Sequence, residues 1–253
     1  MAETYSRIAV VTGASSGIGE ATVRRFVAEG LAVVGNARSA EKLAALEGEL
    51  GAAFVGVTGD AGDAATVSAV LDTAVTRFGA PADLVVVNAG RGLGGAVTEV
   101  DLDAFEEVQR LNVTGAFRLM QKAARQMVEA QVEGFPEKAA DIVVIGSVVG
   151  RNVSPFSAAY GATKFAVHSL TEALRREVGP KGVRVSLVEP GFVLSGFQDA
   201  AGYSDAMVDG LKDKFGPFLV SDDIADAIYY IISRPPHIAV GDLLVRPTRQ
   251  DYP

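Results

Sequence analysis

Cysteine is absent from the 253-residue sequence, and histidine occurs only twice. The chain therefore has no disulfides, no thiolate metal ligands and no cysteine nucleophile, and we expect no dedicated metal site. Long hydrophobic runs are also missing: none approaches the roughly 20 residues of a membrane helix, and the first residues do not resemble a signal peptide. Lys and Arg number 23 against 31 Asp and Glu, a net charge of -8. This acidic balance disfavours nucleic acid and anionic lipid as partners, so we expect a cytoplasmic protein that binds neither.

The residues that are present predict one α/β domain over 1–253. Because 49% of them are hydrophobic, the chain can bury a sizeable core. β-branched runs alternate with stretches of helical period, which predicts a doubly wound, seven-stranded parallel sheet with helices on both faces. The predicted strands are 8–11, 32–35, 53–57, 84–87, 142–145, 183–188 and 242–245, and the predicted helices are 17–29, 40–50, 63–78, 102–129, 157–178 and 222–233. Two stretches are predicted to be irregular, 131–140 and 195–220, and the second is long enough to be a substrate-covering segment.

A glycine-rich turn joins the first predicted strand to the first predicted helix. Its sequence is Thr12-Gly13-Ala14-Ser15-Ser16-Gly17-Ile18-Gly19. Glycines in such a turn allow a tight bend and a close approach of backbone to a pyrophosphate, and the helix N-terminus offers free N–H groups. The spacing G-x-x-x-G-x-G also fits an ordinary glycine-rich turn. The order of strand, glycines, helix and second strand favours a dinucleotide site at Gly13, Ser15, Ser16, Gly17, Ile18 and Gly19.

The second predicted strand is followed by Ala37-Arg38-Ser39, without the acidic residue that often binds the adenosine ribose of NAD. A carboxylate would repel a 2′-phosphate, whereas a guanidinium can hold it through charge-assisted hydrogen bonds. The sequence therefore favours NADP(H) over NAD(H), with Arg38 and Ser39 at the phosphate. The alternative is a solvated Arg38 ahead of a helix that Ser39 caps.

Tyr160 and Lys164 lie four residues apart in a predicted helix and therefore share one face. A phenol with a pKa of about 10 needs its anion stabilised by roughly 4 kcal/mol to act as an acid or base near neutral pH. Lys164 places a positive charge nearby, and an oxidised nicotinamide ring would add another, which predicts a lowered pKa for Tyr160. The alternative is an exposed packing pair.

Polar residues also follow two of the central predicted strands. Ser147 follows the fifth strand and Asn88-Ala89-Gly90 the fourth, at the sheet edge where open α/β folds bind ligands. Asn112 interrupts an apolar helical segment, where a buried amide needs hydrogen-bond partners. Each has a structural alternative: a turn residue for Ser147, a helix kink for Asn112 and a strand-end tie for Asn88.

Together these motifs resemble the short-chain dehydrogenase/reductase family over essentially the whole chain. The shared residues are T-G-x-x-x-G-x-G at 12–19, N-A-G at 88–90, Asn112, Ser147, Y-x-x-x-K at 160–164 and P-G at 190–191. The resemblance implies a Rossmann-like fold, an NADP-dependent alcohol dehydrogenase or carbonyl reductase, and a homo-oligomer, either tetramer or dimer. It implies that Tyr160 is the general acid/base and that Ser147 polarises the substrate oxygen. It further implies that Lys164 lowers the Tyr160 pKa and binds the nicotinamide ribose, and that Asn112 holds a water of a proton relay.

The same resemblance extends to the rest of the cofactor site. Asp60 and Ala61 resemble the pair beside the adenine ring, although Asp60 alone could simply begin a turn. Ser195 stands where the family more often has Thr and keeps the hydroxyl. The further residues expected at the cofactor are Asn88, Ala89, Gly90, Pro190, Gly191 and Val193.

The substrate is the least determined part of the prediction. Mostly apolar pocket walls are expected, which suggests a hydrophobic or moderately polar carbonyl compound or alcohol. Arg91 could anchor an acidic substrate, but a surface position is favoured, and His168 is expected in packing or a subunit contact. The expected wall residues are Arg91, Leu93, Ser147, Val148, Val149, Phe192 and Phe197, with segment 195–220 as cover.

Two other classes of function fit the same fold. One is a nicotinamide-dependent isomerase or epimerase, which would show no net consumption of cofactor. The other is a cofactor-sensing regulator that has lost turnover, since fold alone does not establish activity. The presence of Ser147, Tyr160 and Lys164 favours the hydride-transfer enzyme over the regulator.

Overall fold

The computed structural model describes residues 5–251. Its main sheet has seven strands in the order β3-β2-β1-β4-β5-β6-β9, and every pairing is parallel. The strands are β1 Ile8–Thr12, β2 Ala32–Ala37, β3 Phe54–Thr58, β4 Leu84–Val87, β5 Ala140–Ile145, β6 Val183–Pro190 and β9 Asp242–Val245. A separate parallel pair joins β7 Val193–Leu194 to β8 Leu219–Val220. The predicted fold class, a Rossmann-like doubly wound sheet, is confirmed.

Helices cover both faces of the sheet. They are α1 Gly17–Ala28, α2 Ala40–Leu50, α3 Ala64–Phe78, α4 Leu102–Gln109, α5 Ala116–Gly134, α6 Ala158–Val178, α7 Phe197–Ala200, α8 Asp205–Phe215 and α9 Ser221–Ile232. One core cluster packs α3, α5 and α6 against the sheet, and the other packs α1, α2 and α9 against the opposite face. Because both faces are covered, the central strands are apolar at successive positions, as in the fully buried β4. Within residues 5–251, none of the helices is long and apolar enough to cross a membrane.

The structure differs from the sequence prediction in two places. The predicted helix 102–129 extends to Gly134 and contains a π-helical turn, Arg110–Gly115. The prediction that 131–140 is irregular is therefore wrong for 131–134, which are helical. Segment 195–220 is not irregular, because it contains α7, α8 and β8. Helix α8 was missed because its apolar positions, Met207, Leu211 and Phe215, are separated by charged residues that give a weak overall hydrophobic signal.

The strand order places a crevice between β1 and β4. Strands β2 and β3 lie on one side of β1, whereas the chain returns to the other side of β1 with β4. The connections that leave β1 and β4 at their carboxyl ends therefore diverge to opposite faces of the sheet. In open α/β sheets this topological switch point is where ligands bind.

Candidate active site

The glycine-rich turn between β1 and α1 has the backbone that the sequence predicts. Gly13 and Gly17 have φ values of 71° and 54°, in the left-handed region that side chains disfavour. A Cβ on Gly19 would meet the Gly13 carbonyl oxygen and lie 2.6 Å from Nδ2 of Asn88. The turn therefore requires glycine at three positions, two for conformation and one for close packing.

The turn leads into α1, whose first backbone N–H groups receive no capping hydrogen bond from Ser16. Ser16 is the N-cap of α1 and is extended, and its side chain makes no capping hydrogen bond. The first N–H groups of α1 are thus directed to the crevice, where a helix N-terminus favours an anion. A cradle of this shape and polarity fits the pyrophosphate of a dinucleotide.

Thr12 and Asn88 join the ends of β1 and β4 beside this turn. The Thr12 hydroxyl accepts hydrogen bonds from the backbone N–H groups of Asn88 and Ala89, each at 3.1 Å. The Asn88 side chain donates to the Thr12 carbonyl at 2.8 Å. Asn88 therefore joins the end of β4 to the end of β1, and its side-chain amide holds the glycine turn in position.

The residues expected around the adenosine differ in their hydrogen-bond and salt-bridge partners. Arg38 is exposed at the end of β2 and, within residues 5–251, has no salt-bridge partner. Ser39 caps α2 by accepting a hydrogen bond from the Lys42 N–H at 3.3 Å. Asp60 binds Arg110 at 2.5 Å and the Gly62 N–H at 2.7 Å. Although burial raises the pKa of Asp60, these hydrogen bonds outweigh burial and hold the pKa below its usual value.

Ser147, Tyr160 and Lys164 converge at the carboxyl end of β5. Ser147 begins the 3₁₀ turn Val148–Gly150 that follows this strand, and the other two project from the first turns of α6. Lys164 is 8% exposed, and its Nζ donates to the Ile145 carbonyl at 2.7 Å. Burial lowers the pKa of Lys164 to about 8, so the ammonium form still dominates at neutral pH.

In the chain by itself the surroundings of Tyr160 do not lower its pKa, and the expected acidification, which includes the charge of a bound nicotinamide, stays a prediction. Burial raises the pKa of Tyr160 strongly, and a hydrogen bond to Ser147 offsets this only in part. The Lys164 ammonium lies 5.7 Å from the centroid of the Tyr160 ring, but its attraction for the phenolate does not offset the hydration lost on burial. Tyr160 is therefore a neutral phenol at neutral pH, the protonation state of a general acid.

Asn112 lies in the π-helical turn between α4 and α5. Its Oδ1 accepts from the Arg91 N–H at 2.9 Å, and its Nδ2 donates to the Arg91 carbonyl at 2.9 Å and to the Thr163 hydroxyl at 3.1 Å. Both amide donors are thus used within the protein. The side chain fixes the loop after β4 to α6, and the water expected at Asn112 stays a prediction.

The segment after β6 closes the crevice from the opposite side. The Gly191 N–H donates to the Val245 carbonyl at 2.7 Å, and the Phe192 N–H donates to the side chain of Gln250 at 2.9 Å. A Cβ on Gly17 would lie 3.4 Å from the Cβ of Ser195. The C-terminal residues thus hold this segment against the glycine turn.

Most of these groups line one cavity of about 850 Å³. One end contains the glycine turn and Arg38, and the other contains Tyr160 and an aromatic chamber. In the chamber, the Phe192 ring lies 4.3 Å from that of Phe218 and 6.3 Å from that of Tyr203, and the rings of Tyr160 and Phe197 are 5.4 Å apart. One end of the cavity is therefore polar and can bind an extended anion, and the other end is an apolar pocket beside the Tyr160 phenol.

Comparison with known sequences decides the family. A sequence model described as short chain dehydrogenase matches residues 7–204. The chain belongs to the short-chain dehydrogenase/reductase family. It is accordingly an oxidoreductase of the kind that uses a nicotinamide cofactor.

Relatives of this protein align over nearly its whole length. Serine 3-dehydrogenase of Agrobacterium fabrum is 33% identical over 96% of this chain and 94% of its own. An uncharacterized oxidoreductase of Staphylococcus epidermidis is 28% identical over 98% of this chain and 100% of its own.

Solved structures share the fold. A 3-ketoacyl-(acyl-carrier-protein) reductase from Brucella melitensis, complexed with NADH, has a TM-score of 0.88 and 28% identity, covering 97% of this chain and 98% of that one. The closed form of a serine dehydrogenase complexed with NADP+ has a TM-score of 0.86 and 27% identity, covering 97% and 96%.

Most of the predicted site residues line this cavity. Four do not. Gly19 packs under the turn, Ser39 caps α2, Asn112 holds the Arg91 backbone, and Leu93 lies beyond Gly92, which faces the Phe197 ring. The lining residues are Gly13, Ser15, Ser16, Gly17, Ile18, Arg38, Asp60, Ala61, Asn88, Ala89, Gly90, Arg91, Ser147, Val148, Val149, Tyr160, Lys164, Pro190, Gly191, Phe192, Val193, Ser195 and Phe197.

Several lining residues were missed by the sequence reasoning. Helix α8 contributes Met207, Leu211 and Phe215, whose spacing of four places them on one face. That spacing is visible in the sequence and could have found them. Tyr203 and Gln250 also line the cavity, but they lie in short polar stretches with no periodic signal.

Proposed function

We propose that this protein transfers a hydride between NADP(H) and a small carbonyl compound or secondary alcohol, with Tyr160 as general acid/base. The observation that carries the proposal is the convergence of Ser147, Tyr160 and Lys164 in the same cavity as the glycine turn. A bound nicotinamide dinucleotide supplies or accepts the hydride. The protein residues supply the proton and hold the substrate oxygen.

In the direction of reduction, the substrate oxygen accepts hydrogen bonds from the Ser147 and Tyr160 hydroxyls. Tyr160 then donates its proton as negative charge develops on that oxygen, and a phenol that is neutral at neutral pH suits this step. Lys164 stabilises the phenolate that remains, since its ammonium lies 5.7 Å from the ring centroid. Alcohol oxidation is the same sequence in reverse.

The preference for NADP(H) rests on Arg38. Its exposed guanidinium borders the cavity without a salt-bridge partner among residues 5–251, whereas the neighbouring carboxylate of Asp60 is engaged by Arg110. An exposed guanidinium beside a carboxylate whose charge Arg110 compensates favours a phosphate at this end. The solved structures that share the fold were complexed with NADH or with NADP+, so the proposed preference rests on Arg38.

The chamber beside Tyr160 favours an apolar substrate. Phe192, Phe197, Tyr203, Met207 and Phe215 provide most of its walls. Arg91 also borders the cavity and, in the described part of the chain, has no ion-pair partner, so a hydroxy acid is the second substrate class to test. The 33% identity to a serine 3-dehydrogenase supports including that class.

We also propose a cytoplasmic homo-oligomer that does not bind nucleic acid. Leu102 on α4, Phe117 on α5 and Phe165 on α6 are 65%, 44% and 42% exposed, which fits pairing of these helices between subunits. The net charge of -8 disfavours polyanions. Sedimentation equilibrium tests the proposal, and a monomer at micromolar concentration would refute it.

The experiment that tests the function is a panel of aromatic and aliphatic ketones, their alcohols and hydroxy acids, assayed with NADPH and NADH side by side. Absorbance at the reduced-nicotinamide band measures turnover. Consumption of NADPH supports the proposal, isomerised product without net consumption identifies an isomerase, and binding without turnover identifies a regulator.

Tyr160→Phe tests the assigned acid. We expect kcat to fall by about 10²- to 10⁴-fold, because the variant lacks the proton donor, while NADPH affinity changes little. Tyr230→Phe is the matched control, since it removes the hydroxyl of an exposed tyrosine on α9 that does not line the cavity. A Tyr160→Phe enzyme with near wild-type kcat would refute the assignment.

A further inference from the structure

His168 fills the space behind Ser147. It lies on α6 one turn beyond Lys164, with 12% of its side chain exposed. Two glycines make room for the ring: a Cβ on Gly146 would lie 2.9 Å from its Cδ2, and a Cβ on Gly150 would lie 2.7 Å from its Nδ1. The chain therefore lacks side chains at both ends of the turn that contains Ser147, and the imidazole occupies that volume.

The imidazole hydrogen-bonds the backbone of Ser147. The Gly146 N–H still donates to Val188 in the sheet, but the next N–H, that of Ser147, leaves the sheet and donates to Nε2 of His168 at 3.2 Å. The Val149 N–H then donates to the Ser147 hydroxyl at 3.3 Å. His168 is thus the acceptor for the N–H group at which the chain turns out of β5.

A buried carboxylate faces the other ring nitrogen. Nδ1 of His168 lies 3.7 Å from Oε2 of Glu189, a fully buried residue. Arg151 binds both oxygens of that carboxylate, at 2.6 Å for Oε1 and in a short contact for Oε2. Because Nε2 accepts a hydrogen bond, a neutral imidazole carries its hydrogen on Nδ1, directed toward Glu189.

Burial and the nearby positive charges keep the ring neutral. Burial lowers the pKa of His168 to about 4, and the positive charges of Lys164 and Arg151 act in the same direction. Glu189 and Asp242 are the acidic groups that face the ring, and Asp242 opposes the shift. The lone pair on Nε2 is therefore available to Ser147 at neutral pH.

We propose that His168 is a positioning residue that fixes the Ser147 backbone and so sets the place of the Ser147 hydroxyl beside Tyr160. The inference rests on the proposed function, in which that hydroxyl binds the substrate oxygen. Ser147 is extended, with φ -173° and ψ 155°, and its Cβ direction follows from where its N–H is held. Removing the acceptor leaves this N–H unpaired in a half-buried turn, and a shift of the hydroxyl by about 1 Å lowers kcat by roughly 10²-fold.

The test compares His168→Leu with His168→Gln. Glutamine can place an acceptor oxygen near the position of Nε2, whereas leucine cannot. We expect the leucine variant to lose kcat by roughly ten- to a hundredfold with unchanged NADPH affinity, and the glutamine variant to recover most of it. Retained NADPH affinity, measured by fluorescence titration, shows that each variant is folded. Wild-type kcat in the leucine variant would overturn the inference.

A double-mutant cycle distinguishes an effect of His168 on the position of Ser147 from an effect on the stability of the whole protein. If His168 acts through Ser147, adding His168→Leu to Ser147→Ala should lower kcat by less than about twofold beyond Ser147→Ala alone. An equal loss in both backgrounds would show that His168 acts elsewhere and would overturn the inference.

Nitrogen chemical shifts of the protein without cofactor give a readout independent of activity. We expect His168 to carry its hydrogen on Nδ1, with the exposed His237 as the internal reference. A hydrogen on Nε2 would overturn the inference even if the enzyme is active. Absence of turnover in the wild type, with hydrogen on Nδ1, would instead overturn the proposed function and, with it, the catalytic consequence of this contact.

Discussion

Replacing Arg38 by aspartate reverses the charge at the end of β2, where the proposed 2′-phosphate of NADP(H) would lie. A hydrogen bond to a charged group contributes about 1.5 to 3 kcal/mol, and a unit charge pair 4 Å apart contributes about 1 to 4 kcal/mol between aqueous and surface-like dielectrics. Because Arg38 is exposed, the lower halves of these ranges apply. The variant loses the attraction to the 2′-phosphate and gains a repulsion. The interaction free energy should therefore weaken by about 2 to 4 kcal/mol, which lowers kcat/KM for NADPH by roughly 30- to 1000-fold.

The assay is the ratio of kcat/KM for NADPH to that for NADH, at low and high salt. In Arg38→Asp the ratio should fall by the factor above, and the fall should shrink as salt screens the exposed charge. Lys42→Asp makes the same change of charge one turn along α2, outside the cavity, and should have a much smaller effect. An unchanged ratio in Arg38→Asp, or an equal change in Lys42→Asp, would refute the assignment of Arg38 to the phosphate.

Three further predictions concern the cradle, the histidine and the sheet. Gly19→Ala forces a Cβ against the turn and should weaken NADPH binding at least about tenfold in a fluorescence titration; the control Gly48→Ala meets nothing within 4 Å and should bind normally. The pKa of His168 is about 4, below the ordinary 6.5, so the unfolded chain binds the proton first. The free energy of unfolding should therefore fall by up to about 3 kcal/mol between pH 6.5 and 4, and a His168→Gln variant with the same slope would contradict this. Asp141→Asn breaks the buried pair with Arg184 and should cost about 3 to 5 kcal/mol in urea unfolding; NADPH affinity should persist, and its loss would show that this pair also supports the site.

The sequence predicts which polar groups lie near Tyr160, but it does not predict how they change the Tyr160 pKa. The sequence indicates a Tyr and a Lys on one helix face and a Ser at the end of a buried strand, since these placements follow from helical period and strand order. The pKa of Tyr160 depends on how deeply the ring is buried and on a distance of 5.7 Å to the ammonium, and neither follows from spacing. The expectation of an acidic phenol, which includes the charge of a bound nicotinamide, therefore stays a prediction.

Contacts between distant segments account for the other differences. Asn112 was predicted from its polarity within an apolar helix, but its partners, Arg91 and Thr163, are 21 and 51 residues away. Gln250 reaches Phe192 across 58 residues, and its neighbours in the sequence carry no periodic signal. Local patterns contain no information about such pairs.

The sequence by itself determined the elements, their order and the glycine turn, because hydrophobic period and backbone conformation are local properties. It also determined which chemical groups stand at the carboxyl ends of the strands, since parallel pairing brings those ends to one edge. The tertiary structure alone decided which groups touch and which charges are desolvated. His168 illustrates the division: its helix face is set by the sequence, but its hydrogen bond to Ser147 and its neutral state arise from the packing of α6 against the turn after β5.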